Sequence, residues 1–136
     1  MELKSSKYSL KRSEHLKSRK TFELVFSQNN VVRTKSLKLL YAIEKAEEFS
    51  CAVAFVAPKR LHKLAVDRNR NKRLLHEAYR LNQNIIIDSI GTKPIKLSLL
   101  IMAQNKKTIT FAEVSDNMIK GLTSLQEKIL KTSSFL

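Results

Sequence analysis

Lys59, Arg60, Lys63, Arg68, Arg70, Lys72, Arg73 and Arg80 crowd one short stretch of the chain, against only two acids, Asp67 and Glu77. An ammonium placed against a phosphate neutralises it and releases counterions, and a guanidinium also forks onto two phosphate oxygens. Asn69, inside the densest part, offers both a donor and an acceptor to a sugar or a base edge. An ordinary solvated face mixes the two signs of charge. A run of one sign repels itself and destabilises the helix that carries it unless an anion binds. The chemistry of this stretch is therefore recognition of a polyanion.

No catalytic set accompanies it. His15, His62 and His76 lie in basic surroundings and are not spaced as metal ligands. Two glycines in the whole chain exclude a glycine-rich phosphate loop. Asp67 and Glu77 are ten positions apart, about 15 Å along a helix, too far to hold one metal together. The single cysteine, Cys51, excludes an internal disulfide and any multi-cysteine metal site. Its setting, Cys-Ala-Val-Ala-Phe-Val, makes it a small core residue.

The element that must position the basic residues is a helix over about 65–87. Asp67 reads as its N-cap or as an acid in its first turn, where the helix dipole favours negative charge. Leu74, Ala78, Leu81 and Ile85 recur at the spacing of one helix face, widened by Leu75, Tyr79 and Ile86. At 100° per residue, Asn69, Arg73, His76 and Arg80 fall opposite, with Arg68, Lys72 and Arg70 near the edges of the apolar stripe. The expectation is a helix with its back in a core and a basic front turn.

The run Lys63-Leu-Ala-Val-Asp-Arg-Asn-Arg-Asn-Lys-Arg-Leu-Leu-His-Glu-Ala-Tyr-Arg80 resembles the signature of the protein subunit of bacterial ribonuclease P. In that family a strand leads into a helix opening with Arg-Asn-Arg-x-Lys-Arg. Here Arg68, Asn69, Arg70, Lys72 and Arg73 stand in register, and Glu77-Ala78 follow as expected. Asn71 departs from a position that is usually aliphatic, and His76 from one that is usually arginine. Ala57-Pro58-Lys59-Arg60 replaces the usual Ser-Lys-Lys, and His62 stands near the place of the usual glycine. The resemblance covers roughly residues 14–130.

Composition agrees with an anionic partner. The 136 residues carry a net charge of +14, and 43% are apolar, enough for one domain with a real core. No apolar run approaches the length of a membrane span, and the lysine-rich N-terminus has no apolar segment behind it. The expected location is cytoplasmic, with no membrane partner. Residues 1–17 read as a basic flexible arm, either a solvated tail or an RNA contact. Residues 18–130 form the domain, and 131–136 a frayed tail.

Within the domain, a first helix carries Phe22, Val25 and Phe26 on one face and ends at the turn cluster Ser27–Asn30. Val31–Arg33 suggests a short strand, and Leu37–Ile43 alternates as a strand. Cys51–Ala57 reads as a central strand buried on both faces, paired with the previous one as a hairpin. Pro58 stops it. After the basic helix and a loop over 88–94 come a strand at Leu97–Ala103, a basic loop over 104–110, and a last helix. That helix begins at Phe111 with Val114, Met118, Leu122, Leu125 and Ile129 on one face. The fold class is α+β: a single domain, a sheet of about four strands and three helices in the order α-β-β-β-α-β-α. A strand-helix-strand unit ordinarily crosses over right-handedly. The resemblance implies a left-handed crossover instead.

The resemblance further implies the protein subunit of ribonuclease P, partnered by the catalytic RNA subunit and by precursor tRNA, whose 5′ leader is removed. Mg²⁺ would be held mainly by the RNA, with none bound by the protein alone, and the protein alone would be inactive. The RNA-binding set is Lys59, Arg60, Lys63, Arg68, Asn69, Arg70, Lys72, Arg73, His76 and Arg80. Pattern alone favours Phe22 and Phe26 as core. The resemblance makes Phe22, Phe26 and Tyr41 a cleft for the single-stranded leader, with rings that stack on unpaired bases. The alternative is a structural or ribosomal-type RNA-binding protein. A DNA-binding helix is a weaker rival, because no second helix and tight turn precede residue 65 as a helix-turn-helix needs.

Overall fold

A computed structural model describes residues 19–58, 64–104 and 110–132. The elements in chain order are α1 (Arg19–Gln28), β1 (Asn30–Arg33), β2 (Leu37–Lys45), β3 (Ser50–Val56), α2 (Ala65–Asn82), α3 (Asn84–Ile90), β4 (Ile95–Ala103) and α4 (Phe111–Thr132). The class is α+β, with one mixed four-stranded sheet in the order β1-β2-β4-β3. The arm over 1–17, and with it His15, lies outside the described residues, as do Lys59, Arg60, His62, Lys63, most of the basic loop after Gln104 and residues 133–136 of the expected tail, whose first two residues belong to α4.

The sheet corrects the expected hairpin. β2 pairs antiparallel with β1 on one side and with β4 on the other, while β3 pairs only with β4, in parallel. The doubly buried central strand is β4, which is buried at seven of its nine positions. β3 is an edge strand, with Val53 as its single buried residue. Its run of small apolar residues looks like a central strand in sequence, because periodicity reports the lack of polar residues and not the neighbour. The pairing of β2 with β4 joins residues fifty or more positions apart, beyond the reach of any local pattern.

Two cores follow from the pleat. On one face Leu37, Leu39 and Tyr41 of β2, Leu97, Leu99 and Ile101 of β4 and Val53 of β3 meet α2, α3 and α4. The last helix inserts Val114, Met118, Leu122, Leu125 and Ile129, all at 0% exposure, as its spacing predicts. On the other face Leu40, Ala42 and Leu100 meet Val25 of α1, with Phe22 and Leu24 beside them. Gln28 docks the end of α1 on β2: its Nε2 donates to the Ile43 carbonyl at 3.4 Å, and its Oε1 accepts from the Ile43 amide at 3.2 Å. Asn29 closes α1 in the left-handed region, at φ 50°, a conformation asparagine tolerates better than most residues.

The basic helix also differs in detail. It breaks at Gln83 and resumes as α3, which runs to Ile90 through part of the expected loop. Its buried face is Asn71, Leu75, Ala78 and Tyr79. Leu74 is half-buried at the margin of the core, and Leu81 is 40% exposed. The true stripe is rotated from the one read in sequence. A polar Asn71 on the core side hid its start, and the break at Gln83 removed Ile85 from the same helical register.

Candidate nucleic-acid interface

α2 lies along the free edge of the sheet, over β3. Phe55 of β3 meets the His76 ring edge-on at 5.3 Å between centroids, and the Tyr79 ring at 5.8 Å. The Cys51 sulfur and the Tyr79 hydroxyl are 3.5 Å apart. These contacts fix the roll of the helix. The first turn forms with the Arg68 amide donating to the Leu64 carbonyl at 3.1 Å, and Asp67 sits in that turn as its acid.

With that roll, Asn69, Lys72 and Arg73 are exposed, whereas Arg68 and Arg70 are half-buried. Among the described residues neither Lys72 nor Arg73 has an ion-pair or hydrogen-bond partner. Exposed, uncompensated cations one position apart suit adjacent phosphate oxygens. The remaining predicted residues sit differently. His76 is not on the outward face: it is half-buried against Phe55. Arg80 donates from Nε to Glu77 Oε1 one turn earlier. That hydrogen bond holds the Glu77 carboxyl below its ordinary value and the Arg80 guanidinium above its own.

The three aromatic candidates are not brought together. Phe22 packs, half-buried, in the α1 core, and Phe26 is 55% exposed on the same helix. Tyr41 lies on the opposite face, 5% exposed within the main core. The residue of β2 that faces α1 is its neighbour Leu40. A strand alternates faces at every residue, so a one-position error carries a side chain through the sheet.

What does share a surface with Phe22 is the outer part of the same sheet face. Ala54 and Val56 of the edge strand and Met102 of β4 pack at the rim of this core and remain partly exposed, with Ala52 half-buried beside them. These residues leave a partly exposed apolar strip on the face of the sheet that carries α1, a candidate trough. The sequence carried a signal for it, the small residues at alternate positions 52 and 54, which the reading of a doubly buried strand absorbed. Trough and basic helix flank the β3 edge from opposite faces of the sheet.

The comparisons with known proteins agree with this architecture. The family model described as Ribonuclease P matches residues 10–126, which include the basic turn and all four strands. The chain belongs to the ribonuclease P protein family. The ribonuclease P protein component of Porphyromonas gingivalis is 32% identical over 117 residues, 85% of each chain. That of Chlorobaculum tepidum is 38% identical over 86 residues, 60% of this chain and 56% of the other. Among solved structures, the Staphylococcus aureus RNase P protein superposes with a TM-score of 0.65 at 16% identity, covering 84% of this chain and 96% of that one. The Thermotoga maritima RNase P protein gives 0.63 at 19%, covering 82% and 96%. These two share the fold. Within the ribonuclease P protein family frame, the polar Asn71 stands on the buried side of the helix, at 1% exposure. An aliphatic residue is the physically expected occupant there.

Proposed function

We propose that this chain is the protein subunit of ribonuclease P. It binds the RNA subunit through the front turn of α2, and it takes the single-stranded 5′ leader of precursor tRNA along the trough between α1 and β3. The observation that carries the reading is the exposed, uncompensated trio Asn69, Lys72 and Arg73 on a helix of a ribonuclease P family chain. Phosphate contacts there would supply sequence-independent affinity for folded RNA. The leader would lie where Phe26 and the half-exposed Ala54, Val56 and Met102 offer an apolar surface for unstacked bases.

In this reading the RNA subunit is the catalyst, and the protein alone cleaves nothing. Among the described residues no group of three or more His, Cys, Asp or Glu could hold a metal ion. The reading assigns Mg²⁺ to the RNA, and no step is routed through a protein-bound ion. The protein's part is to neutralise phosphates and to hold the substrate. No helix among the described residues is long and apolar enough to cross a membrane.

Discrimination of precursor from product separates this reading from a structural RNA-binding protein. A basic helix alone binds both ligands alike, because both display the same phosphates. The measurement is a pair of dissociation constants, for leader-bearing and mature tRNA, on the complex with a bacterial ribonuclease P RNA. Phe26→Ala is expected to weaken the precursor by about 1–3 kcal/mol, the value of one base stacked on a ring, and to spare mature tRNA. Equal losses for both ligands would remove the leader from α1.

A further inference from the structure

At the far end of the sheet from β3, an open cleft of about 550 Å³ lies between the start of β1 and the last turns of α4. The strand order puts β1 three strands from β3, about 14 Å across the sheet, so this cleft is separate from the trough and from the front of α2. Asn29, Asn30, Val31, Tyr41, Lys128 and Lys131 line it. No carboxylate is among them, and their side chains supply two ammonium groups, two amides and a phenol. The Lys128 ammonium is held at the site by donating to the Val31 carbonyl at 3.0 Å. The Asn30 amide donates to the Tyr41 carbonyl at 3.3 Å, which ties the two strands together beneath the cleft.

Tyr41 is the informative member. Its ring is buried, while its hydroxyl makes no hydrogen bond among the described residues and is not sealed from solvent: it opens into the cleft. Burial also pushes its pKa above the ordinary value, so the hydroxyl remains a donor throughout the neutral range. A phenol donor opening into a cleft with two ammonium groups and no carboxylate in its lining suits an anion.

We infer that this cleft binds a phosphate group, held by the Tyr41 hydroxyl and the ammonium groups of Lys128 and Lys131. The phosphate could come from an RNA backbone or from a free phosphate or nucleotide. The competing explanation is that lysines in the last turns of α4 only offset the helix dipole. The inference does not depend on the ribonuclease P reading, since inorganic phosphate alone tests it.

The test is a titration of the isotopically labelled full chain with inorganic phosphate, followed by backbone amide resonances. The expected result is a saturable shift at residues 29–31 and 128 that persists in Arg73→Ala, where the basic helix is weakened. Lys131→Gln should weaken that site about tenfold and Tyr41→Phe about three- to tenfold, with the remaining spectrum unchanged. Shifts confined to residues 68–80, or equal dissociation constants in all variants, would overturn the inference and leave Lys131 to its helix. A second arm measures affinity for a bacterial ribonuclease P RNA at fixed salt. A parallel loss in Lys131→Gln assigns the phosphate to the RNA backbone. Unchanged RNA affinity alongside lost phosphate binding assigns it to a free phosphate or nucleotide.

Discussion

Replacing Leu75 and Leu81 separately by alanine tests how α2 is rolled, and with it which residues reach RNA. Leu75 is 0% exposed, between the sheet and α4, while Leu81 is 40% exposed on the same helix. Leu75→Ala loses the transfer free energy of the buried carbons and leaves a cavity, together about 2–5 kcal/mol. Leu81→Ala loses only part of a full leucine burial worth about 1.5–3 kcal/mol, so about 1 kcal/mol. For a domain of this size each kcal/mol moves Tm by about 3–5 °C. Leu75→Ala should therefore melt about 6–25 °C below wild type, and Leu81→Ala about 3–5 °C below. The assay is thermal and urea unfolding of the RNA-free chain in phosphate-free buffer, because a bound anion would stabilise the native state. Equal losses at the two positions would show that the helix is turned toward the stripe Leu74, Ala78, Leu81. That roll would keep Asn69 and Arg73 outward but bring His76 onto the same face, so the contact of His76 with Phe55, and with it the roll described above, would fail.

Ser98 in β4 is fully buried and its hydroxyl has no partner among the described residues, so Ser98→Ala should stabilise the chain by about 0.5–2 kcal/mol in urea unfolding. A loss of stability would mean that the hydroxyl is bonded. Glu77→Gln should remove a negative charge from the basic face and tighten RNA binding, whereas unchanged affinity would place the Glu77–Arg80 pair outside the contact. Because the folded Glu77 carboxyl sits below its ordinary value of 4.5, its stabilising contribution is complete above that pH and disappears on acidification; Glu77→Gln should abolish that component of the acid titration of stability. Log affinity for the RNA subunit should fall against log salt with a slope of about −3 to −7, for roughly four to eight neutralised phosphates, and Lys72→Ala should lower its magnitude by about one. A flat response would make the basic turn a solvated face.

The place of the Arg68–Arg73 run in the first turns of a helix was legible because it is local. The stripe of α4 from Val114 to Ile129 is a clean 3.6-residue period on a helix with one buried face. The reading failed where side chains answer to distant partners. β3 looked central because Cys51–Ala57 is apolar, yet β4 takes the centre by pairing with both β2 and β3. The resemblance groups Tyr41 with the rings of α1, yet it lies on the other face of β2. β2 has apolar residues at both 40 and 41, so nothing in its pattern says which one faces α1. The roll of α2 was misread because Asn71, a polar residue, occupies the buried side. The trough beside α1 had no motif, since alanine at 52 and 54 signals space and not chemistry.

The most direct measurement is reconstitution: the full chain combined with a bacterial ribonuclease P RNA at low Mg²⁺, and 5′ processing of precursor tRNA followed against time. The account predicts efficient cleavage with both components, little with the RNA alone at that Mg²⁺ level, none with the chain alone, and a marked loss in a Lys72→Ala, Arg73→Ala double variant that still folds. Processing by the RNA-free chain, or no stimulation of the RNA by the wild-type chain, would contradict it.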